Sequence, residues 1–309
     1  MKKTFPNYIW KKIRKIIIIH QQSRALRSVE PIFDYVDKRT WSSYMFIPKK
    51  VFPENSKIIW QYWAQGFNNR DCPELVKICI DSIDYYAEGY TIIRISDENI
   101  EDYVDLPDFV KYKRKNFSIT HFSDLLRTLL LSVYGGLWLD ASVLLTGKLS
   151  DSFFKGDFFV YQRDNNERYK SYWEKSFAYY WGWSKKFKVK SLVGIMSSSS
   201  DSIIMRDICC LMLELWKRYD KIPHYFVFSI IIGEYFLRNR NLQIEIYNDT
   251  VPHILRQHIN GVYPYLSIEK TLQLTSIHSL NYKNPQAVIE LREILKEYRS
   301  DFYMSRSKN

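Results

Sequence analysis

The chain has 309 residues, enough to bury a full core as one large domain or as a domain with an appendage. Its formal charge of +11 asks for an anionic partner, and nucleic acid, an anionic membrane surface and an acidic substrate all satisfy it. Cys72, Cys79, Cys209 and Cys210 show neither zinc-ligand spacing nor a secreted disulfide framework, which excludes those two classes and favours a reducing, cytoplasmic compartment.

Residues 1 to 46 read as a basic helical arm. Lys2, Lys3, Lys11, Lys12, Arg14, Lys15, Arg24 and Arg27 fall in a stretch without an acid, so much of the charge excess lies there. Such an arm suits an anionic lipid surface, each cation contributing about 1 kcal/mol near it; a solvated basic tail is the competing reading. Ile16 to Ile19 is too short for a signal-peptide core or a span, and the later apolar run from Phe226 to Leu237 is broken by Gly233 and Glu234. The expected location is therefore the cytoplasm, with peripheral attachment to the inner face of the plasma membrane as the arm's contribution.

Pro48 and Pro53 mark the start of a main domain, 47 to 309. Lys57 to Tyr62 suits a strand. From Pro73 to Ala87, Val76, Cys79, Ile80 and Ile83 repeat at helical spacing, with Asp71 or Cys72 as cap, Pro73 in the first turn and Gly89 beyond the end. Tyr90 to Ile95 is the next strand, so the order predicts a parallel βαβ start. Helices near 107 to 115 and 122 to 133 follow; Gly135 offers the left-handed residue that ends the second, and Leu137 to Leu139 suits a short buried strand. Asp124 and Arg127 share one helical face, and Asp140 falls at the carboxyl end of the strand, where open α/β sheets place ligands. A G-x-G-x-x-G turn and a Walker A loop are both absent, so any phosphate charge must be met by side chains or a metal. Beyond residue 150 the chain is aromatic-rich. Ser197 to Ser200 reads as a polar loop, Asp201 to Tyr219 as a helix with Ile204, Ile208, Leu211 and Leu215 inward, Gln243 to Tyr247 as a strand, and Asn284 to Tyr298 as a closing helix with Asn284 as its cap.

Ser123, Asp124, Arg127, Leu131, Gly135, Gly136 and Asp140 fit the pattern SDxxRxxxLxxxGGxxxDxx. This resembles the donor-site signature of the capsular polysaccharide synthesis family, glycosyltransferases with a DxD-type motif related to mannosyltransferase-like and clostridial-toxin-like enzymes. Ile58 to Trp63 resembles the first strand of the same domain, and a weaker match returns from His278 to Lys283. The resemblance implies a GT-A-like, Rossmann-type mixed sheet flanked by helices, with a donor half at about 47 to 149 and an acceptor half at about 150 to 309. It implies transfer of a hexose from a nucleotide-diphospho-sugar to a lipid-linked or oligosaccharide acceptor in capsule or other surface polysaccharide, with retention of configuration.

The resemblance also distributes roles, each with a plainer alternative. Asp140 would contact ribose and donor sugar or reach a metal, or else cap a turn. Asp124 would accept from sugar hydroxyls and Arg127 hold the sugar or diphosphate, or the two would form a mutual ion pair. Ser123 would touch ribose or cap the helix. Trp63, then Trp60, would stack on the base, and Gly136 would lie at the donor; Trp138 is assigned mainly to packing. Lys283 would meet the diphosphate. A divalent cation, manganese or magnesium, would be held by Asp140, Ser142 and His278, although Ser142 stands where relatives with a full DxD carry the second carboxylate. His121 could lie at the site mouth. Two competitors stay open: a non-catalytic sugar-nucleotide or glycan-binding subunit, separable by donor hydrolysis, and a basic nucleic-acid-binding protein, disfavoured because no nucleic-acid module is visible.

Overall fold

The computed structural model describes residues 7–37, 47–242, 244–261 and 263–306, so Lys2, Lys3 and Gln243 lie outside the described residues. The basic segment forms one long helix, α1 (Asn7–Asp37). It buries Ile18, Gln22, Ala25, Val29, Ile32 and Phe33, a seam three or four residues apart that rests on later helices. Strand β1 (Ile58–Tyr62), helix α2 (Glu74–Tyr86) and strand β2 (Thr91–Ile95) follow, with Ile58 opposite Thr91 in a parallel pair as expected. Pro73 itself occupies the cap position of α2 and no side chain caps it, so Asp71 and Cys72 do not have the capping role expected of them.

Helices α3 (Asp108–Lys113) and α4 (Ile119–Tyr134) lead to β3 (Gly136–Leu139) and β4 (Val143–Leu145). Helix α4 starts earlier than its apolar pattern indicates, because the Ser118 side chain accepts the His121 N–H as N-cap. Ser123 is thereby placed inside the helix and is not its cap. Gly135 ends α4 at φ 68°, as its sequence position predicts.

The second half contains β5 (Phe158–Gln162), α5 (Lys170–Ser176), β6 (Ser191–Ser198), α6 (Ile203–Arg218), α7 (Val227–Arg238), β7 (Tyr247–Asn248), α8 (Ile254–Ile259), α9 (Ile268–Leu274), β8 (Ile277–Ser279), α10 (Gln286–Tyr298) and α11 (Ser300–Arg306). Three local expectations need correction. Ser197 and Ser198 end a central strand; the buried Ser197 hydroxyl donates to the Phe153 carbonyl and Ser198 to that of Ser199, so serines survive there without orphaned hydroxyls. The strand expected from Gln243 shrinks to Tyr247–Asn248 within the described residues. Asn284 precedes α10 and accepts the Gln286 N–H, while Pro285 holds the cap position.

The six-stranded sheet has the order β2-β1-β3-β6-β5-β7, with β2, β1 and β3 parallel and β6 antiparallel to both β3 and β5. This is the mixed α/β sheet flanked by helices that the sequence indicates. Trp60, Trp138 and Met196 point to a core beneath α1, α4, α6 and α7, whereas Ile59, Leu137, Leu139 and Ile195 point to the opposite face. There a two-stranded sheet, β4 with β8, covers the first sheet together with α2.

From β1 the chain winds through α2 to β2 on one side, and then returns to place β3 on the other side of β1. The β1/β3 boundary is thus the point where the winding reverses, and a crevice outside the carboxyl ends of these strands is where such sheets hold ligands. Gly136 makes the pairing possible: at φ 100°, a Cβ there would lie 2.6 Å from the Ile58 carbonyl oxygen. Gly136→Ala combines that clash with a left-handed backbone and should cost about 2 kcal/mol or more. Its denaturant midpoint should fall with an unchanged m-value.

Candidate functional site

Arg127 lies on the third turn of α4, 2% exposed, beneath the end of β3. A buried guanidinium needs acceptors for all its N–H groups. Its Nε donates to the Ser123 carbonyl at 3.2 Å and Nη2 to the Ser123 hydroxyl at 3.1 Å; Nη1 donates to the Val193 carbonyl on β6. Nη2 also lies 3.2 Å from an oxygen of Asp124 and 3.2 Å from one of Asp140, bridging the two carboxylates. Below, the guanidinium carbon sits 5.0 Å from the centre of the Trp138 ring. The indole Nε1 donates to the same Asp140 oxygen at 2.8 Å, so Trp138 both packs and aims that carboxylate.

The two carboxylates differ in access. The Asp140 side chain is 41% exposed, whereas that of Asp124 is 7% exposed. Burial pushes the Asp124 carboxyl up to about 7, reinforced by Asp140 and opposed by Arg127. Strand β6 closes the back. Gly194 accepts the Asp140 N–H at 2.9 Å, and a Cβ at Gly194 would come within 2.5 Å of the other Asp140 oxygen. The carboxylate occupies the space a side chain at 194 would take, so glycine is what lets it sit there.

Of the other expected site residues, some are assembled here and some are not. Trp63, just past β1, is half-buried beside Ala141 and meets Tyr282 edge-on at 5.3 Å. The pairing of β4 with β8 sets the 280–283 segment alongside the Asp140 loop, where Leu280 donates to the Ser142 carbonyl at 3.0 Å. The weak C-terminal match therefore meets the signature in space, with Lys283 exposed at its rim. Trp60 is fully buried, its Nε1 donating to the Gly135 carbonyl at 2.9 Å, and offers no ring to a base. Gly136 lies at the opposite end of β3 from Asp140, and its role is strand contact.

The expected metal set of Asp140, Ser142 and His278 is not brought together. His278 is fully buried between the small sheet's neighbours, with Nε2 2.9 Å from the Thr146 hydroxyl, and desolvation pushes its pKa down to about 3. Among the described residues no cluster of three or more His, Cys, Asp or Glu side chains is placed to hold a metal. What fits a cation is the single Asp140 oxygen that Trp138 and Arg127 leave free.

Several residues of the crevice escape sequence reasoning. Val193 and Gly194 belong to a strand disguised by serines, although a glycine inside an apolar run is a known mark of close backbone approach. Asp97 follows β2 and ties Arg114 (3.2 Å) to the Tyr62 hydroxyl (2.5 Å); the carboxyl-end rule, applied to β2, would have found it. Tyr225 had no signal at all. Its ring lies 6.0 Å from that of His121, three residues before Asp124 on α4; burial, and then Asp124, raise its phenol pKa, with Asp140 and Tyr282 adding to the effect.

Asp124 supplies a pH test. Its folded value near 7 exceeds the ordinary carboxylate value of about 4, so the folded state holds the extra proton between those limits. The resulting stability is present below about pH 4 and lost as pH rises through about 7. Relative to Asp124→Asn, wild-type melting temperatures should decline over that window and level off above it. A flat difference would remove the buried carboxyl as the cause.

The sequence profile described as "Capsular polysaccharide synthesis protein" matches residues 7–298. None of the curated proteins matches the chain. Among solved structures it is similar to the WbbM bifunctional glycosyltransferase in its apo form, with 10% identity and a TM-score of 0.44 over 82% of this chain and 52% of that one. It is also similar to the PaToxG glycosyltransferase, with 13% identity and a TM-score of 0.40 over 93% of this chain and 96% of that one. The chain thus spans about half the length of the WbbM structure. No helix among the described residues is long and apolar enough to cross a membrane. With the profile running from α1 through α10 and the signature residues gathered around Arg127, the chain belongs to the capsular polysaccharide synthesis protein family.

Proposed function

We propose that the protein is a GT-A-type glycosyltransferase that moves a hexose from a nucleotide-diphospho-sugar to a surface polysaccharide acceptor with retention of configuration. The observation that carries this reading is the Arg127-centred cluster at the β1/β3 reversal, with Asp140 exposed to the crevice. In transfer, the acceptor hydroxyl oxygen forms a bond to the anomeric carbon as the bond from that carbon to the diphosphate oxygen breaks. The electron pair leaves with the diphosphate, and the hydroxyl proton passes to a departing oxygen on the same face. Stabilising the diphosphate then matters more than a dedicated base.

Charge balance gives each group its role. Arg127 is already shared between two carboxylates, so the cluster has no positive surplus to meet a diphosphate. A manganese or magnesium ion carried in by the donor would neutralise the leaving group, with Asp140 as its one carboxylate contact. Asp124 and Ser123 keep Arg127 in place and offer acceptors to sugar hydroxyls. Trp63 faces the base, and Lys283 at the rim adds charge near the phosphates. The basic N-terminal helix brings the enzyme to an anionic membrane surface.

Manganese should bind weakly to the free protein and more tightly in calorimetric titrations with a nucleoside diphosphate present. Asp140→Ala should abolish that tightening and lower donor turnover by about 10²-fold or more, with an unchanged circular dichroism spectrum. Donor turnover undiminished by Asp140→Ala would remove this carboxylate from the reaction, and the absence of any turnover in the wild type would favour a sugar-nucleotide-binding subunit.

A separate variant tests positioning. Gly194→Ala should fold, because the flexible end of Asp140 can swing away from the new methyl group. The displaced carboxylate should still cost roughly 10²-fold in turnover, as misplacement by about 1 Å does. Normal turnover with the Asp140 carboxylate moved would refute the geometry.

A further inference from the structure

Two clefts lie end to end along α1. The larger, about 680 Å³, opens between α1 and the 177–179 and 223–226 segments, and Arg24, Tyr179 and Tyr225 are among its walls. The smaller, about 430 Å³, is lined by Trp10, Lys11, Arg14, Ile17 and Tyr179. Tyr179 is common to both, with the Arg14 guanidinium 5.3 Å from its ring centre. At the far end of the larger cleft, Tyr225 rests 6.0 Å from the His121 ring, which precedes Asp124 by three residues in α4.

The chemistry changes along this path. Lys11, Arg14 and Arg24 line the clefts, and among the described residues no acid does. Toward the N-terminus the surface becomes apolar as well as basic, with Trp10 58% and Ile16 66% exposed. Helix α1 is not loosely attached at this point. Gln22 is fully buried; its Nε2 donates to the Tyr179 carbonyl at 3.2 Å and its Oε1 accepts the Lys188 N–H at 2.8 Å. The helix and the Tyr179 segment therefore form one wall.

We infer that this continuous path is the acceptor site, and that its occupant is a glycan carried on a membrane lipid through a phosphate or diphosphate. The sugar end reaches Tyr225 beside the donor carboxylates, the phosphates lie against Arg24 and Arg14, and the lipid leaves past Trp10 and Ile17 into the bilayer. A free oligosaccharide would bring no anion to these cations and no apolar group to the exposed indole. The inference rests on the transferase reading for what happens at Tyr225, but the recognition of a lipid phosphate is separable from it.

The test compares phosphatidylcholine vesicles doped with a long-chain prenyl diphosphate against vesicles carrying an equal charge of phosphatidylglycerol. The wild type should prefer the prenyl diphosphate by about tenfold, and a variant combining Arg14→Glu and Arg24→Glu should lose that preference. Both arginines are exposed, so the variant should keep its fold and its affinity for nucleoside diphosphate, which is measured in parallel and reports on the donor site alone. Equal affinity for the two vesicle types, or an undiminished preference in the variant, would overturn the inference whatever the donor measurement gives.

Discussion

A buried guanidinium is costly unless its nitrogens are matched, and each nitrogen of Arg127 finds a partner among groups from three separate parts of the chain. Ser123 and Asp124 come from its own helix, Asp140 from the end of β3, and the Val193 carbonyl from the antiparallel neighbour β6. Removing any one leaves a charge poorly paired at low dielectric, so the helix, the strand end and the neighbouring strand hold one relative position. The exposed Asp140 oxygen is therefore delivered to the crevice by a rigid frame, and the flexible-looking turn after β3 has little freedom to move it.

The same frame explains which parts of the molecule could be read from the sequence. The βαβ start, α4, the Gly135 stop and β3 are encoded by local spacing within one continuous stretch, 58 to 139, and their apolar periods agree with their burial. The acid, the arginine and the second acid were visible because they interrupt that apolar pattern. What supports them was not visible. Strand β6 carries serines at both ends, and partners distant in sequence hold them there: the Ser191 backbone N–H and carbonyl bond the Ser229 hydroxyl on α7, while the Ser197 hydroxyl donates to the Phe153 carbonyl. A pattern argument sees the polarity and not the partner. His278 fails for the opposite reason. It occupies the right stretch of sequence, but the strand turns its ring inward to Thr146, while its neighbour Ile277 packs in the core between the two sheets.

Helix α1 shows how composition can mislead about position. Its charge attracts attention to solvent or membrane, yet its register is fixed by a narrow buried seam and by Gln22, a polar residue with partners on both sides. Buried polar side chains of this kind specify alignment more than they add stability. A slip by one residue would leave the Lys188 N–H and the Tyr179 carbonyl unpaired. A second tie stiffens the wall that α1 rests on. Arg163 and Asp249, both essentially inaccessible, pair through three hydrogen bonds, with the remaining Arg163 donors on the Tyr180 and Gly182 carbonyls.

These two rigid bodies of polar contact, one around Arg127 and one around Arg163, bracket the cleft that ends at Tyr225. Under the proposed mechanism this arrangement has a consequence for how retention could be achieved. The acceptor hydroxyl must approach the face from which the diphosphate departs, so donor and acceptor cannot enter from opposite sides of the sugar. A donor seated outside the carboxyl ends of β1 and β3 presents its phosphates to Asp140, and an acceptor moving along α1 arrives from the Tyr225 side of the same carboxylate. Two anions would then meet at one small site. Their mutual repulsion is tolerable only if their countercharges are kept apart: a donor-borne cation at Asp140, and the arginines of α1 further along the cleft. Under the proposed roles, bringing two phosphate-bearing substrates onto one face requires an acidic donor pocket kept apart from a basic acceptor wall, and the positive charge concentrated in α1 would supply the latter.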